Sequence, residues 1–159
     1  MSKMKKVIED VVFKARSVAN KPAYADNYSL CTKAGKPDDF VWLKNHQFRP
    51  YGSWKPGGGK LQRGELGRNI PGLYAFVVDG FVQYIGKAET HLRGRVRNYN
   101  RCLIDNPVRP HRDAHGGIAK ALKEGKTVEA YIRIAKAGDN VSVLETSWIR
   151  ELNPLWNRT

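Results

Sequence analysis

The sequence predicts an α+β fold: a small three-stranded antiparallel sheet flanked by helices, in the order β-β-α-α-β-α, behind an N-terminal helix and an irregular basic arm. Three observations carry that expectation. Residues 72–86, GLYAFVVDGFVQYIG, form an apolar run broken by Asp79-Gly80, the mark of a β-hairpin. The segment TVEAYIRI alternates polar and apolar residues as a third strand. Apolar residues at helical spacing recur between and after these strands.

Taken in order, Val7, Ile8, Val11, Val12, Ala15 and Val18 predict an amphipathic helix over residues 4–18. From about residue 20 to 70 the periodicity fades into Gly, Pro, Lys and Arg interleaved with Trp42, Phe48, Tyr51 and Trp54. That stretch is an arm with little regular structure, DDFVWL being a candidate short strand. Pro71 introduces the hairpin, and a helix over about 88–104 follows, with Leu92, Val96, Tyr99 and Leu103 on one stripe. GIAKALKEG is a second helix closing on Gly125, and a last helix runs from near Val141 to Pro154. The organisation expected is an N-terminal helix and arm over 1–70 and a compact unit over 71–159, without internal repeats.

The hairpin permits two registers. A two-residue Asp79-Gly80 turn pairs Val78 with Phe81 and separates Tyr74 from Tyr84 onto opposite faces. A three-residue loop, Val78-Asp79-Gly80, sets Tyr74 directly across from Tyr84. Both faces are apolar in either case, so hydrophobicity does not choose.

Composition narrows the partner. The chain has 28 Lys and Arg against 15 Asp and Glu, a formal net charge of +13 over 159 residues. Such an excess favours a polyanion, of which nucleic acid is the commonest. No basic amphipathic helix concentrates the charge as membrane-surface binders do. No apolar run approaches the roughly 20 residues that span a bilayer. Cys31 and Cys102 stand far apart, which suggests free thiols in a reducing compartment and no thiolate zinc site. The N-terminus does not read as a signal peptide, so the expectation is the cytoplasm.

Several residues could carry chemistry. Glu145 sits beside the apolar stripe Val141, Leu144, Trp148 and Leu152 of the last helix, so its carboxylate needs a partner. Spacing alone favours an ion pair with a basic side chain; the alternative is a divalent cation whose shell is completed by water. Arg93, Arg95 and Arg97 follow the hairpin, offering either a solvated basic face or a guanidinium fork for a phosphate. WKPGGGKLQRG lacks the spacing of a phosphate-binding loop and reads better as a basic arm reaching DNA, or as a plain loop. His111 and His115 are four apart, but without paired cysteines NPVRPHRDAHGG is better read as contacting DNA or a second subunit than as a zinc site.

GLY, then YIG with its tyrosine ten residues after the first, then Arg, Glu and Asn in order, resembles the GIY-YIG nucleases. The resemblance covers Pro71 to Asn157. LETSWIRELNPLWN and ALKEGKTVEAYIR narrow it toward the bacteriophage endonuclease II type and the type II restriction endonucleases of that superfamily. It implies a metal-dependent endonuclease hydrolysing phosphodiester bonds of double-stranded DNA, site-specifically or loosely so. Its catalytic site would comprise Tyr74, Tyr84, Arg95, Glu145 and Asn157, assisted by Lys87. Glu145 would hold one Mg2+ or Mn2+, Arg95 the phosphoryl oxygens, and the tyrosines would act jointly around the attacking water, with Tyr74 as base or orienting partner. Asn157 would position the last helix or a water on the metal. Arg93 or Arg97 could replace Arg95, because one extra residue separates it from the YIG motif.

DNA contacts are expected from Lys55, Lys60, Arg63, Arg68, Arg93, Arg97, Arg109 and Arg112. A homodimer or higher oligomer, in a bacterial cell and encoded by host or phage, fits cutting of both strands. A non-catalytic DNA-binding module, or a repair or homing-type nicking enzyme, is the alternative. If the two tyrosines serve one phosphodiester they must share a face, which predicts the three-residue loop.

Overall fold

The computed structural model describes residues 30, 37–103 and 113–158. The helix expected over 4–18, Cys31, Arg109, His111 and Arg112 lie outside them. The described chain runs α1 (Phe40–Asn45), β1 (Arg49–Trp54), β2 (Gln62–Arg63), β3 (Gly72–Val78), β4 (Phe81–Ala88), α2 (Leu92–Arg97), a 3₁₀ turn (Asn98–Leu103), α3 (Asp113–Lys123), β5 (Val128–Ile134), α4 (Val141–Leu152) and a second 3₁₀ turn (Leu155–Asn157). The sheet has the order β2-β1-β5-β3-β4, with every pair antiparallel.

The core of the expectation holds: β5, β3 and β4 are adjacent antiparallel strands of one sheet, with α2 and α3 between β4 and β5 in the chain. The sheet is wider than expected. Residues 49–54 lie along β5, and residues 62–63 fold back on them, so five strands stand where three were expected. Hydrophobic alternation is weak in RPYGSW, yet Tyr51 and Trp54 are buried and anchor it. Asn100 fixes the returning chain, its side-chain oxygen accepting from Trp54 Nε1 and from the Leu61 N–H, each at 2.9 Å. Trp54 is therefore a core residue with no face free to stack on a base.

DDFVWL is a helix, not a strand. Asp38 accepts the Phe40 N–H at 3.1 Å, and Asp39 ties the helix start to the hairpin through the Val82 N–H at 2.8 Å. One helical turn then sinks Leu43 into the core while Val41 stays exposed. The helix after the hairpin is also shorter than expected. It tightens into a 3₁₀ turn at Asn98, whose period of three buries Tyr99 and Cys102 and leaves Leu103 outside. The Cys102 thiol is free, and burial pushes it up to about 12.

The hairpin register differs from the one expected. Asp79 and Gly80 both have positive φ, 51° and 85°, and make a two-residue turn with Val78 opposite Phe81. Tyr74 faces Gly86, and Tyr84 faces Phe76. The tyrosines share a face nonetheless. Val77 pairs with Val82 but Phe76 pairs with Tyr84, so Gln83 is an extra residue in β4. One inserted residue reverses the alternation beyond it and swings Tyr84 to the side of Tyr74. Gln83 is fully buried, its amide against the Phe81 carbonyl at 3.4 Å.

Each side of the sheet has its own core. Leu73, Ala75, Val77, Val82 and Ile85 pack with Leu43 of α1 and Trp148 of α4. Tyr74, Phe76, Ala130 and Ile132 pack with α2, both 3₁₀ turns and α3 on the opposite side. Among the described residues no helix is long and apolar enough to cross a membrane.

Candidate active site

Tyr74, Tyr84 and Tyr99 form a triangle of phenols, with ring centroids 6.1, 5.6 and 6.2 Å apart for Tyr74–Tyr84, Tyr74–Tyr99 and Tyr84–Tyr99. Phe76 supports the group, stacked on Tyr84 and edge-on to Tyr99. The Tyr74 ring lies across Gly86, where a Cβ would collide with its carbons and hydroxyl. The last residue of the YIG motif thus makes space for the tyrosine of the first. Gly72 serves packing in a similar way, because a Cβ there would meet the Arg133 carbonyl and Leu92.

The hydroxyls of Tyr74 and Tyr99 share a hydrogen bond of 2.8 Å. Burial pushes both phenols far above the usual tyrosine range, and the neighbouring phenols add to it. At Tyr74 the Tyr99 hydroxyl and the Arg95 guanidinium oppose that shift without cancelling it. Tyr74 is therefore protonated at neutral pH in the free protein. Tyr84 is only partly buried and lines the open cleft.

Of the three arginines left open by the spacing, Arg95 is the one against Tyr74, and contact with that hydroxyl raises its own pKa further. Arg93 donates to the Leu66 carbonyl at 3.3 Å, tying the strap before the hairpin to α2. Arg68, Arg93, Arg95 and Arg97 all border a cleft of about 1210 Å³ that also reaches Tyr74, Tyr84, Lys87 and Glu145. Lys55, Lys60 and Arg63 are exposed on the β1–β2 excursion and do not line it.

Glu145 enters from α4, which Asn140 caps through the N–H groups of Ser142 and Val143. Partial burial raises its pKa, while the charges of Lys87 and Arg95 and the Lys87 backbone N–H oppose the rise. The ion pair favoured by the spacing is not formed: among the described residues no Lys or Arg closes on this carboxylate. A half-buried oxygen donor without a cation, facing an open cleft, fits a hard divalent ion that brings its own water. No cluster of three or more metal-binding side chains occurs among the described residues, so water would complete most of the shell of an ion held by Glu145.

Asn157 lies behind the cleft wall. Its side chain accepts the Ile85 N–H and donates to the Ile85 carbonyl, both at 2.9 Å, capping the free edge of β4. This geometry ties the C-terminal 3₁₀ turn, which follows α4, to β4. Lys87 points its ammonium at Glu89 and Ser142.

Tyr99 was missed as a member of the site. Its place one turn after Arg95 was legible, but a tyrosine on an apolar stripe reads as core. His115 stacks on Tyr99 at 4.4 Å and so belongs to the packing around the phenols.

No family model matches the chain, and no curated protein matches it in sequence. Among solved structures, a mutant of bacteriophage T4 EndoII aligns over 74% of this chain and 96% of its own, at 22% identity and a TM-score of 0.57. The GIY-YIG N-terminal endonuclease domain of UvrC from Thermotoga maritima, bound to magnesium as its catalytic divalent cation, aligns over 58% of this chain and 88% of its own, at 25% identity and a TM-score of 0.40. Restriction endonuclease HPY188I in complex with product DNA aligns over 75% and 83%, at 17% identity and a TM-score of 0.43. This chain shares the fold of EndoII, as its motifs predict.

Proposed function

We propose that this chain is a metal-dependent endonuclease of the GIY-YIG superfamily that hydrolyses phosphodiester bonds of double-stranded DNA. One observation carries the reading: Glu145, Arg95, Tyr84 and Tyr74, from four separate elements, meet in a single cleft bordered by Arg68, Arg93 and Arg97. The fold shared with EndoII supports it. Glu145 would hold one Mg2+ or Mn2+, which supplies charge stabilisation at the leaving 3′-oxygen. Arg95 grips the non-bridging oxygens while charge builds on them. Tyr84, at the cleft surface, would orient the attacking water and, as its phenolate, take up the proton that water loses. Tyr74, held protonated by burial, orients Tyr84 and Arg95 from below. Direct attack by water leaves 5′-phosphate and 3′-hydroxyl ends without a covalent intermediate. Lys55, Lys60 and Arg63 would extend the phosphate contacts beyond the cleft, and two copies of the chain would serve the two strands.

The test is plasmid cleavage in Mg2+ or Mn2+, beside DNA binding measured across a salt series. Glu145→Ala is expected to lose about a hundredfold to a thousandfold in cleavage, as removal of a charge-stabilising group does, and to keep its binding. Affinity should fall steeply with salt, because each phosphate contact releases counterions. Equal inertness of wild type and Glu145→Ala while both bind DNA would leave only a DNA-binding module. Nicked circles alone indicate a nicking enzyme. Among products cut on both strands, a fixed palindrome at the ends indicates restriction and a loose consensus the EndoII-like activity.

A further inference from the structure

Lys87 stands between two carboxylates of the cleft and is paired with only one of them. Its ammonium lies 3.3 Å from Glu89 Oε1 and also donates to Ser142 Oγ, while that hydroxyl donates to the same Glu89 oxygen at 3.3 Å. Glu145 sits three residues beyond Ser142 on α4, almost one turn, and the Lys87 backbone N–H lies against it. The lysine is thus keyed to α4 at two points, by its backbone at Glu145 and by its side chain at Ser142.

Desolvation decides which carboxylate takes the ammonium. Glu89 is 67% exposed and Lys87 33%, so pairing there removes little hydration from either charge. Pairing at Glu145 would bury an ammonium against a carboxylate that is already partly desolvated. It would also fill the position that a cation must occupy. We infer that Glu89 and Ser142 form a latch for the Lys87 ammonium, holding it off Glu145 so that this carboxylate stays open to a divalent cation. The inference rests on the reading of Glu145 as the metal-holding residue. It makes Glu89 and Ser142 positioning residues that act through Lys87.

The experiment is Mn2+ binding to the full chain without DNA, read from the electron paramagnetic resonance signal of free Mn2+. Wild type should bind, and Glu145→Gln should not. Glu89→Gln releases the ammonium toward Glu145 and should weaken binding about fivefold, the scale of one partly exposed charge pair. Ser142→Ala should weaken it less. Adding Lys87→Met to Glu89→Gln removes the released charge, and affinity should return to within about twofold of Lys87→Met alone. Unchanged affinity in Glu89→Gln overturns the latch. Weakened affinity that Lys87→Met does not rescue also overturns it, since Glu89 would then be a ligand. Wild type binding no more Mn2+ than Glu145→Gln would remove the metal reading and the latch together, an outcome distinct from failure of the latch alone.

Discussion

The two faces of the β3–β4 hairpin are built from the same short stretch and are held to different standards. On one, Leu73, Ala75, Val77, Val82 and Ile85 meet α1 and α4 through aliphatic and indole surface alone. On the other, Tyr74 and Tyr84, backed by the Phe76 ring, meet α2 and the 3₁₀ turn, where the Tyr74 hydroxyl must be satisfied by Tyr99 and Arg95. The first face needs volume, which many apolar residues supply. The second needs particular atoms in particular places, and depends on a glycine and on a bulge. The cleft opens where the two meet, at the end of β4, with Lys87 and Glu145 arriving from the aliphatic side and Arg95 from the phenolic side.

That contrast can be broken most severely at Gly86. Gly86→Val pushes a branched side chain into the Tyr74 ring and should cost about 3 kcal/mol in urea unfolding, the upper part of the overpacking range, together with nearly all cleavage. Asn157→Ala strips both partners from the Ile85 backbone and should cost about 2 kcal/mol. Cleavage measured well below its melting temperature should fall less than in Glu145→Ala, because Asn157 holds the wall and not the substrate.

An alkaline series sharpens the phenolic side. A phenol whose folded pKa is raised stabilises the fold fully below the unfolded value near 10, and that stability is lost as pH rises through the folded value. Burial raises both Tyr74 and Tyr99, so the melting temperature should hold to about pH 10 and decline above it. Tyr99→Phe should start lower and decline less. The smallest effect belongs to the aliphatic side. Ile85→Val should cost about 1 kcal/mol and leave cleavage unchanged; a matching loss of cleavage would mean that the two faces are not separable.

Residue types and spacing were enough to place the hairpin, the third strand and the last two helices, because period is a local property. The polar residues that line the cleft were picked out by the resemblance to the GIY-YIG nucleases, since spacing alone favoured an ion pair at Glu145 and left the three arginines open. The two motif glycines were visible as letters, but their reason was not. Gly86 is small because a ring from the neighbouring strand crosses it, and that contact exists only after pairing. Strand β1 was missed because its pairing energy comes from β5, about 80 residues later in the chain, while RPYGSW carries little strand signal of its own. DDFVWL starts a helix whose N-cap, Asp39, is tied to the hairpin, its N–H donating to the Gly80 carbonyl and its carboxylate accepting the Val82 N–H, contacts no local propensity contains.

The same division settles the tyrosines. That Tyr74 and Tyr84 share a face followed from the chemistry expected of them, but the route did not. The turn is the two-residue Asp79-Gly80 form that its own dipeptide favours, and Gln83 supplies the reversal instead of the loop. A bulge costs a ladder position and buries a polar side chain. Only packing on both faces of β4 at once decides where such an insertion can sit, so the sequence determined the hairpin and the tertiary structure determined its register.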